Sequence, residues 1–237
     1  MADGLYIGMT GAAARAEQLD AVADNLANAQ TPGFKAARTA FESFLPSGGA
    51  RDKVYPAAVA AGTDMRPGGV THTGNPLDVA MEGEAAMLAV QQPGGETAFT
   101  RAGRLSVDPQ GRLLAVGHPV LDRQGRPILI PPETTPAIAA DGRVLANGTE
   151  VAQVGIFRID GPVSRLGAQL LAPGDGAKVV PVDGGKVRVG ELELGNFSPL
   201  EATVQLVSTQ RNYETSMQAL QTYKRLDDRI VEVGRIR

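Results

Sequence analysis

The residues able to do chemistry are few in this sequence and poorly grouped. Two histidines occur, His72 and His118. Gly74 and Pro76 flank one, and Gly117 and Pro119 flank the other. A catalytic imidazole needs a partner that positions it. No spacing here supplies one, so both histidines fit solvated turns. Gly185-Lys186 resembles the end of a phosphate loop, but Val187 replaces the required Ser/Thr and Val180 the leading glycine. Gly174-Asp175-Gly176 lacks the third glycine and the following helix of a dinucleotide loop. Asp227 and Asp228 are adjacent in a helical stretch and point about 100° apart, which suits a solvated face rather than an acid–base pair. The absence of cysteine removes disulfides, thiolate zinc sites and cysteine nucleophiles together. The expectation is a protein that is not an enzyme, with no cofactor, no metal and no small-molecule substrate.

Composition narrows the class further. The chain of 237 residues accommodates one large domain or two modest ones. Hydrophobic residues make up 43% but aromatics only 4%, so the core must be aliphatic and alanine-rich. Glycine at 29 and proline at 16 imply many turns. The formal charge is −3, with no lysine- or arginine-rich run, which argues against nucleic acid or an anionic membrane as partner. The opening Met-Ala-Asp-Gly-Leu-Tyr-Ile-Gly has neither a basic n-region nor an apolar h-region, so no cleaved secretory signal is expected.

Two helices are expected, one at each end. Leu5, Met9, Ala12, Ala16, Leu19, Ala23 and Leu26 follow alternating steps of four and three, an a/d heptad seam. Val22 and Ala13 widen it, and Asp3 suits an N-cap. The helix should stop near Asn28, because Pro32 disfavours helical geometry at Thr31 and Gly33 permits a sharp turn. Near the other end, Ser198-Pro199-Leu200-Glu201 forms a capping-box start. No further glycine or proline occurs until Gly234, and Leu206, Tyr213, Met217, Leu220, Tyr223 and Ile230 make an imperfect stripe.

Between the helices the pattern changes. Asp108-Pro109-Gln110-Gly111-Arg112 and Asp122-Arg123-Gln124-Gly125-Arg126 are nearly the same turn, and Asp141-Gly142-Arg143 is a shorter version. The runs Leu113–Val116, Ile128–Ile130 and Val151–Ile159 lie between them as expected strands. The expected organisation is α+β. Residues 1–36 form an N-terminal assembly helix and turn, and 37–75 a Pro/Gly-rich connector. Residues 76–197 form a mainly antiparallel β domain, and 198–237 a C-terminal assembly helix. The alanine-rich seam is thin for a free-standing helix but allows dense packing among many helices, so the two termini are expected to form a coiled-coil-like bundle in an assembly. The alternative is a helix lying on its own β domain.

These residues also carry a family likeness. Asp24-Asn25-Leu26-Ala27-Asn28-Ala29-Gln30-Thr31-Pro32-Gly33-Phe34-Lys35 resembles the N-terminal signature of flagellar rod and hook proteins. Thr73–Gly83 resembles that family's central motif, Phe99–Gly103 its strand-turn element, and Gln210–Glu214 with Leu220–Thr222 its C-terminal signature. The short length and Val154–Asp160 are most similar to the proximal rod members, with the distal rod members second. Gly195-Asn196-Phe197 departs from the family's usual Ser-Asn-Val, and Gln218 from a frequent lysine. The resemblance implies a structural subunit of the basal-body rod that transmits torque. Its partners would be other rod subunits, itself and the flagellar type III export apparatus, and it would reach the periplasmic rod without a cleaved signal. The expected interface residues are Leu5, Met9, Leu19, Asn25, Leu26, Asn28, Thr31, Gly33 and Phe34 at the N-terminus, with Leu206, Arg211, Tyr213, Met217 and Leu220 near the C-terminus.

Overall fold

The computed structural model describes residues 2–44 and 55–235, with side chains at 8–39, 62–226 and 229. The fold is α+β and divides into two compact units. The helical unit comprises Met1–Ala27, Ala37–Ala61 and Pro199–Arg237, and the β unit comprises Asn28–Ala36 and Gly62–Ser198.

In the helical unit, α1 runs over Ala2–Ala27. It includes Asp3, which therefore sits in the first turn and does not cap it. β1 (Ala37–Phe44) and β2 (Tyr55–Thr63) pair as a two-stranded sheet in the stretch read as a connector. The final helix, α2 (Pro199–Arg235), opens on the proline and has Glu201 in its first turn. Proline suits this position because its missing N–H would have no partner there. A carboxylate suits it because it faces the positive end of the helix dipole. α1 packs against both α2 and β1. Gly8 lies so near α2 that a Cβ there would stand 2.7 Å from Leu220 Cδ2.

The β unit has sixteen short strands. They are β3 (Val70–His72), β4 (Val79–Met81), β5 (Met87–Gln91), β6 (Thr97–Thr100), β7 (Leu105–Val107), β8 (Leu113–Ala115), β9 (His118–Pro119) and β10 (Pro136–Ile138). There follow β11 (Arg143–Ala146), β12 (Thr149–Gln153), β13 (Ile156–Asp160), β14 (Val163–Arg165), β15 (Leu171–Pro173), β16 (Lys178–Pro181), β17 (Val187–Val189) and β18 (Glu191–Glu193). The largest sheet has the order β14-β15-β6-β5-β13-β16. Smaller sheets are β10-β11-β12, β7-β8-β9, β17-β4 and β18-β3, and the pairings are antiparallel.

β5 explains where the core sits. Successive strand side chains point to opposite faces. Leu88 and Val90 enter one apolar cluster, with Leu105, Leu113, Val120 and Val144. Met87 and Ala89 enter a second on the other face, with Phe99, Leu121 and Ile159. Phe99 and Phe157 meet edge-on, with centroids 6.0 Å apart. A strand buried on both faces carries no polar alternation, as the Met-Leu-Ala-Val run shows.

Two expected strands need correction. Ile128–Ile130 forms no strand; its residues are fixed by single bridges and by bonds such as Leu113 N–H to Ile128 O at 3.0 Å. Val151–Ile159 is not continuous but splits into β12 and β13 around Val154-Gly155. The break falls where the chain passes from the β10-β11-β12 sheet to the largest sheet, and glycine is needed there because a Cβ on Gly155 would lie 2.6 Å from Asp122 O. The two long Asp turns are congruent. Asp108 Oδ1 accepts from the N–H of Gln110 and Arg112 at 3.0 and 2.8 Å, and Asp122 Oδ1 accepts from Gln124 and Arg126 at 2.8 and 2.9 Å. Gly111 and Gly125 both take positive φ, 79° and 77°.

Candidate assembly interface

The helical unit places its expected interface residues on different faces. On α2, Leu206, Tyr213, Met217 and Leu220 are half-buried, and Ala202 and Thr209 are fully buried. Their steps of three and four make one stripe, and Leu220 brings it against Gly8 of α1. Arg211 is exposed on the opposite side. It shares that side with Leu200, Val204 and Val207, which are 76%, 63% and 46% exposed. The positions 200, 204, 207 and 211 repeat at heptad spacing, so α2 carries a second, uncovered apolar stripe that ends in a cation. The sequence stripe missed it because Val204 and Val207 fall outside the row through Leu206 and Tyr213. A cleft of about 460 Å³ runs beside Val204, Val207 and Arg211.

On α1, Leu19 and Leu26 are half-buried, and Ala12, Val22 and Asn25 are buried. Met9 is 55% exposed, and Ala23 is also exposed. The buried arc is turned from the heptad seam because α1 is covered by β1 as well as by α2. The side chain of Leu5 lies outside the described residues, as does that of Ile230. Asn25 makes a two-point bond to a single residue. Its Oδ1 accepts from Ala37 N–H at 2.9 Å and its Nδ2 donates to Ala37 O at 3.0 Å. The asparagine thus serves the start of β1 and not the carbonyls of its own helix end.

The rest of the N-terminal motif belongs to the β unit. Thr31 N–H donates to Asn28 O at 2.9 Å, and the Thr31 hydroxyl donates to Asn28 Oδ1 at 3.4 Å. Gly33 takes φ 71°, and a Cβ there would lie 2.1 Å from Ala102 N. Only glycine meets both demands. Phe34 is fully buried, with the Arg165 guanidinium 4.9 Å over its ring. Gln169 Nε2 donates to Pro32 O at 2.7 Å. Gly195 has a matching role, because a Cβ there would stand 2.5 Å from Ala29 O. The departure from serine at this position is therefore a matter of space.

Beside Phe34 lies an ionic cluster that spacing alone did not reveal. Lys35, Arg101 and Glu193 are each at most 2% exposed. Lys35 Nζ donates to Glu193 Oε1 at 2.7 Å and to Arg66 O at 2.7 Å. Arg101 Nε donates to Glu193 Oε2 at 2.8 Å, and its Nη2 bonds the same oxygen. Arg101 Nη1 also donates to the carbonyls of Gly83 and Ala86, both at 2.6 Å. Gly68 N–H adds a further bond to Glu193 Oε1 at 3.0 Å. Burial pushes the Glu193 carboxyl up, but Arg101 and Lys35 outweigh it and hold the group below its ordinary value. Burial draws Lys35 below its ordinary value against the pull of Glu193. The three side chains direct these bonds to one another and to the backbone, so the arrangement is an internal lock. The only sequence signals were Lys35 closing one motif and Arg101 within another.

His72 lies exposed on β3, opposite Glu191 of β18, and His118 is half-buried on β9. Among the described residues no group of acidic side chains and histidines could hold a metal, and no helix is long and apolar enough to cross a membrane.

Known proteins match along the chain in the same order as these elements. Residues 5–35 match the family described as Flagella basal body rod protein. Residues 80–146 match the Flagellar hook protein FlgE/F/G D1 domain, and residues 188–233 the Flagellar basal body rod FlgEFG protein C-terminal. The flagellar basal-body rod protein FlgF of Mesorhizobium japonicum is 32% identical over 241 residues, covering 99% of both chains. That of Salmonella typhimurium is 33% identical over 233 residues, covering 91% of this chain and 92% of its own. The flagellar basal-body rod protein FlgG of Buchnera aphidicola from Schizaphis graminum is 28% identical over 254 residues, covering 94% of this chain. This chain is a member of the flagellar basal-body rod protein family, most similar to FlgF, and a structural protein rather than an enzyme.

Proposed function

We propose that this chain is a structural subunit of the proximal flagellar rod that polymerises through α1 and α2 and transmits torque between its neighbours. The observation that carries this reading is the second stripe of α2. Leu200, Val204 and Val207 stay exposed while the opposite face of the same helix packs on α1. Uncovered apolar side chains at heptad spacing suit a helix from another subunit. A rod also needs an interface that repeats without closing, and a helix with two different apolar faces provides one. The partners are other rod subunits and further copies of this chain, reached through the flagellar type III apparatus, in the periplasmic part of the basal body.

Because the chain has no cysteine, a single Val204→Cys substitution reports on one site alone. In the purified subunit this thiol should react fully with a maleimide, and in intact basal bodies it should be protected. Equal labelling in both would overturn the interface. A second reading, a monomeric adaptor with an intramolecular helix pair, is favoured by the contact of α1 with α2. It requires Val204→Cys to stay reactive in every state.

A further inference from the structure

We propose that Glu193 is a clamp that holds the segment leaving α1 and the segment entering α2 in one socket, and that this clamp opens as a unit separate from the β core. Residues 28–36 follow α1 directly, and residues 193–196 lie just ahead of Pro199. The two stretches are paired. Gly33 N–H donates to Glu193 O at 2.8 Å, Ala36 N–H to Asn196 Oδ1 at 2.8 Å, and Asn196 N–H to Phe34 O at 3.4 Å. The Glu193 carboxylate binds Lys35 from the first stretch and Arg101 from the β unit through opposite oxygens. Asn196 Nδ2 adds a bond to Asp64 O at 2.7 Å.

The separate opening follows from what the first stretch lacks. Neither apolar cluster of the β unit draws a residue from 28–36. Its own buried side chains, Ala29, Phe34 and Ala36, lie outside those clusters, and the stretch is held by their burial, by backbone bonds, by Arg165 over the Phe34 ring and by the ionic cluster. A region that shares no side chain with the core clusters can open as a unit of its own, at lower free energy than the core. The shared carboxylate ties the stretch to the β unit at one point, because losing Glu193 would strand two buried cations and losing Lys35 removes the stretch's ionic hold. In a rod, force that enters along either terminal helix reaches these two adjoining stretches, and the clamp keeps them from peeling away. That use rests on the function proposed above; the clamp itself is a property of the single chain.

Hydrogen exchange followed by mass spectrometry on the full chain tests it, comparing wild type with Lys35→Met and Glu193→Gln. Lys35→Met is the decisive variant, since it retains the neutral Arg101–Glu193 pair and replaces the lysine stem with a side chain of similar length. Amides across 28–36 and at Asn196 should exchange at least about 10-fold faster, while those of Leu113, Val120 and Ile128 stay within about 2-fold of wild type. Arg123→Ala, which removes an exposed ion pair with Asp183, should leave both regions unchanged. Unaltered protection of 28–36 in Lys35→Met would overturn the clamp, and so would an equal acceleration in the core. If exchange behaves as expected but cells carrying Lys35→Met swim with wild-type rods under high load, the mechanical use fails and the clamp stands.

Discussion

Lys35 Nζ lies 2.7 Å from Glu193 Oε1, although 158 residues separate them in the chain. The contact places a lysine from the N-terminal motif on a carboxylate from the last strand, inside the β unit. Arg101 completes the cluster on the other oxygen. Burying such charges is costly and is offset only when every lone pair and proton finds a partner. Here the backbone oxygens of Arg66, Gly83 and Ala86 and the N–H of Gly68 add partners beyond the ion pairs themselves.

Acid should therefore unlock the β unit. Glu193 is held below its ordinary value in the folded chain, as are Asp108, Asp122 and Asp141. A depressed carboxyl contributes stability above its unfolded value, about 4.3 for Glu and about 3.9 for Asp, and loses it as pH falls through the folded value. Lys35 has a slope of the same sign, in a higher pH window. Its lowered value means that the folded chain binds this proton less tightly, so stability rises with pH between the folded value and about 10.4. Melting temperatures across pH should fall below about pH 4. A flat profile from pH 6 to 3 would contradict the ionised buried carboxylate.

Two glycines with nearly equal backbone angles should respond differently to alanine. Gly33 and Gly117 have φ of 71° and 76°. A Cβ at Gly33 meets Ala102 N at 2.1 Å, whereas at Gly117 nothing lies within 4 Å. Gly117→Ala should cost about 1 kcal/mol from backbone strain. Gly33→Ala adds a backbone clash, so it should cost at least about 1 kcal/mol more. Chemical denaturation of the two variants measures the difference, and equal costs would show that the Gly33 turn is not held against Ala102.

The paired turns allow a similar comparison. Asp108 and Asp122 each accept two backbone N–H bonds and one from an arginine Nε. Asp122 also forms an antiparallel bridge to Val154, and it is buried as a residue, whereas the bonds of Asp108 are exposed. Asp122→Ala should cost about 1–3 kcal/mol because its orphaned N–H groups are partly shielded from water. Asp108→Ala should cost less, since water replaces the lost acceptor. The reverse order in urea unfolding would refute this account.

The parts legible in the sequence were those set by short-range rules. Pro199 and Glu201 mark the start of α2, and Thr31-Pro32-Gly33 marks the end of α1, because caps and turns depend on a few neighbours. The Asp-Gly-Arg turns were legible for the same reason. Ile128–Ile130 was misread because an apolar run does not say whether it pairs along a ladder or through single bridges. The buried face of α1 was misplaced because β1 covers it, and nothing near Met9 announces that strand. Lys35 and Glu193 were illegible as a pair, since no periodicity links positions 158 residues apart.

The last prediction separates the two apolar faces of the helical unit. Val204 is 63% exposed on α2, and Leu26 is half-buried on α1 beside the buried Asn25. Val204→Asp adds a carboxylate to a surface already in water, so the purified subunit should keep its stability within about 0.5 kcal/mol. In an assembled rod the same carboxylate would face a neighbouring helix without a partner, which is costly enough to block docking. Cells carrying it should lose motility while the protein melts normally. Leu26→Asp places its charge against packing that exists within the chain, so it should lower helix content and the melting temperature of the helical unit. The β unit has its own core and should keep its strand signal, because neither of its apolar clusters includes Leu26. Circular dichroism melts and swimming assays on both variants are the pair of measurements. Normal swimming with Val204→Asp would refute the outward stripe as an assembly surface. A collapsed melt with Val204→Asp would show that this face is already covered within the chain, and the adaptor reading would then account for both helices.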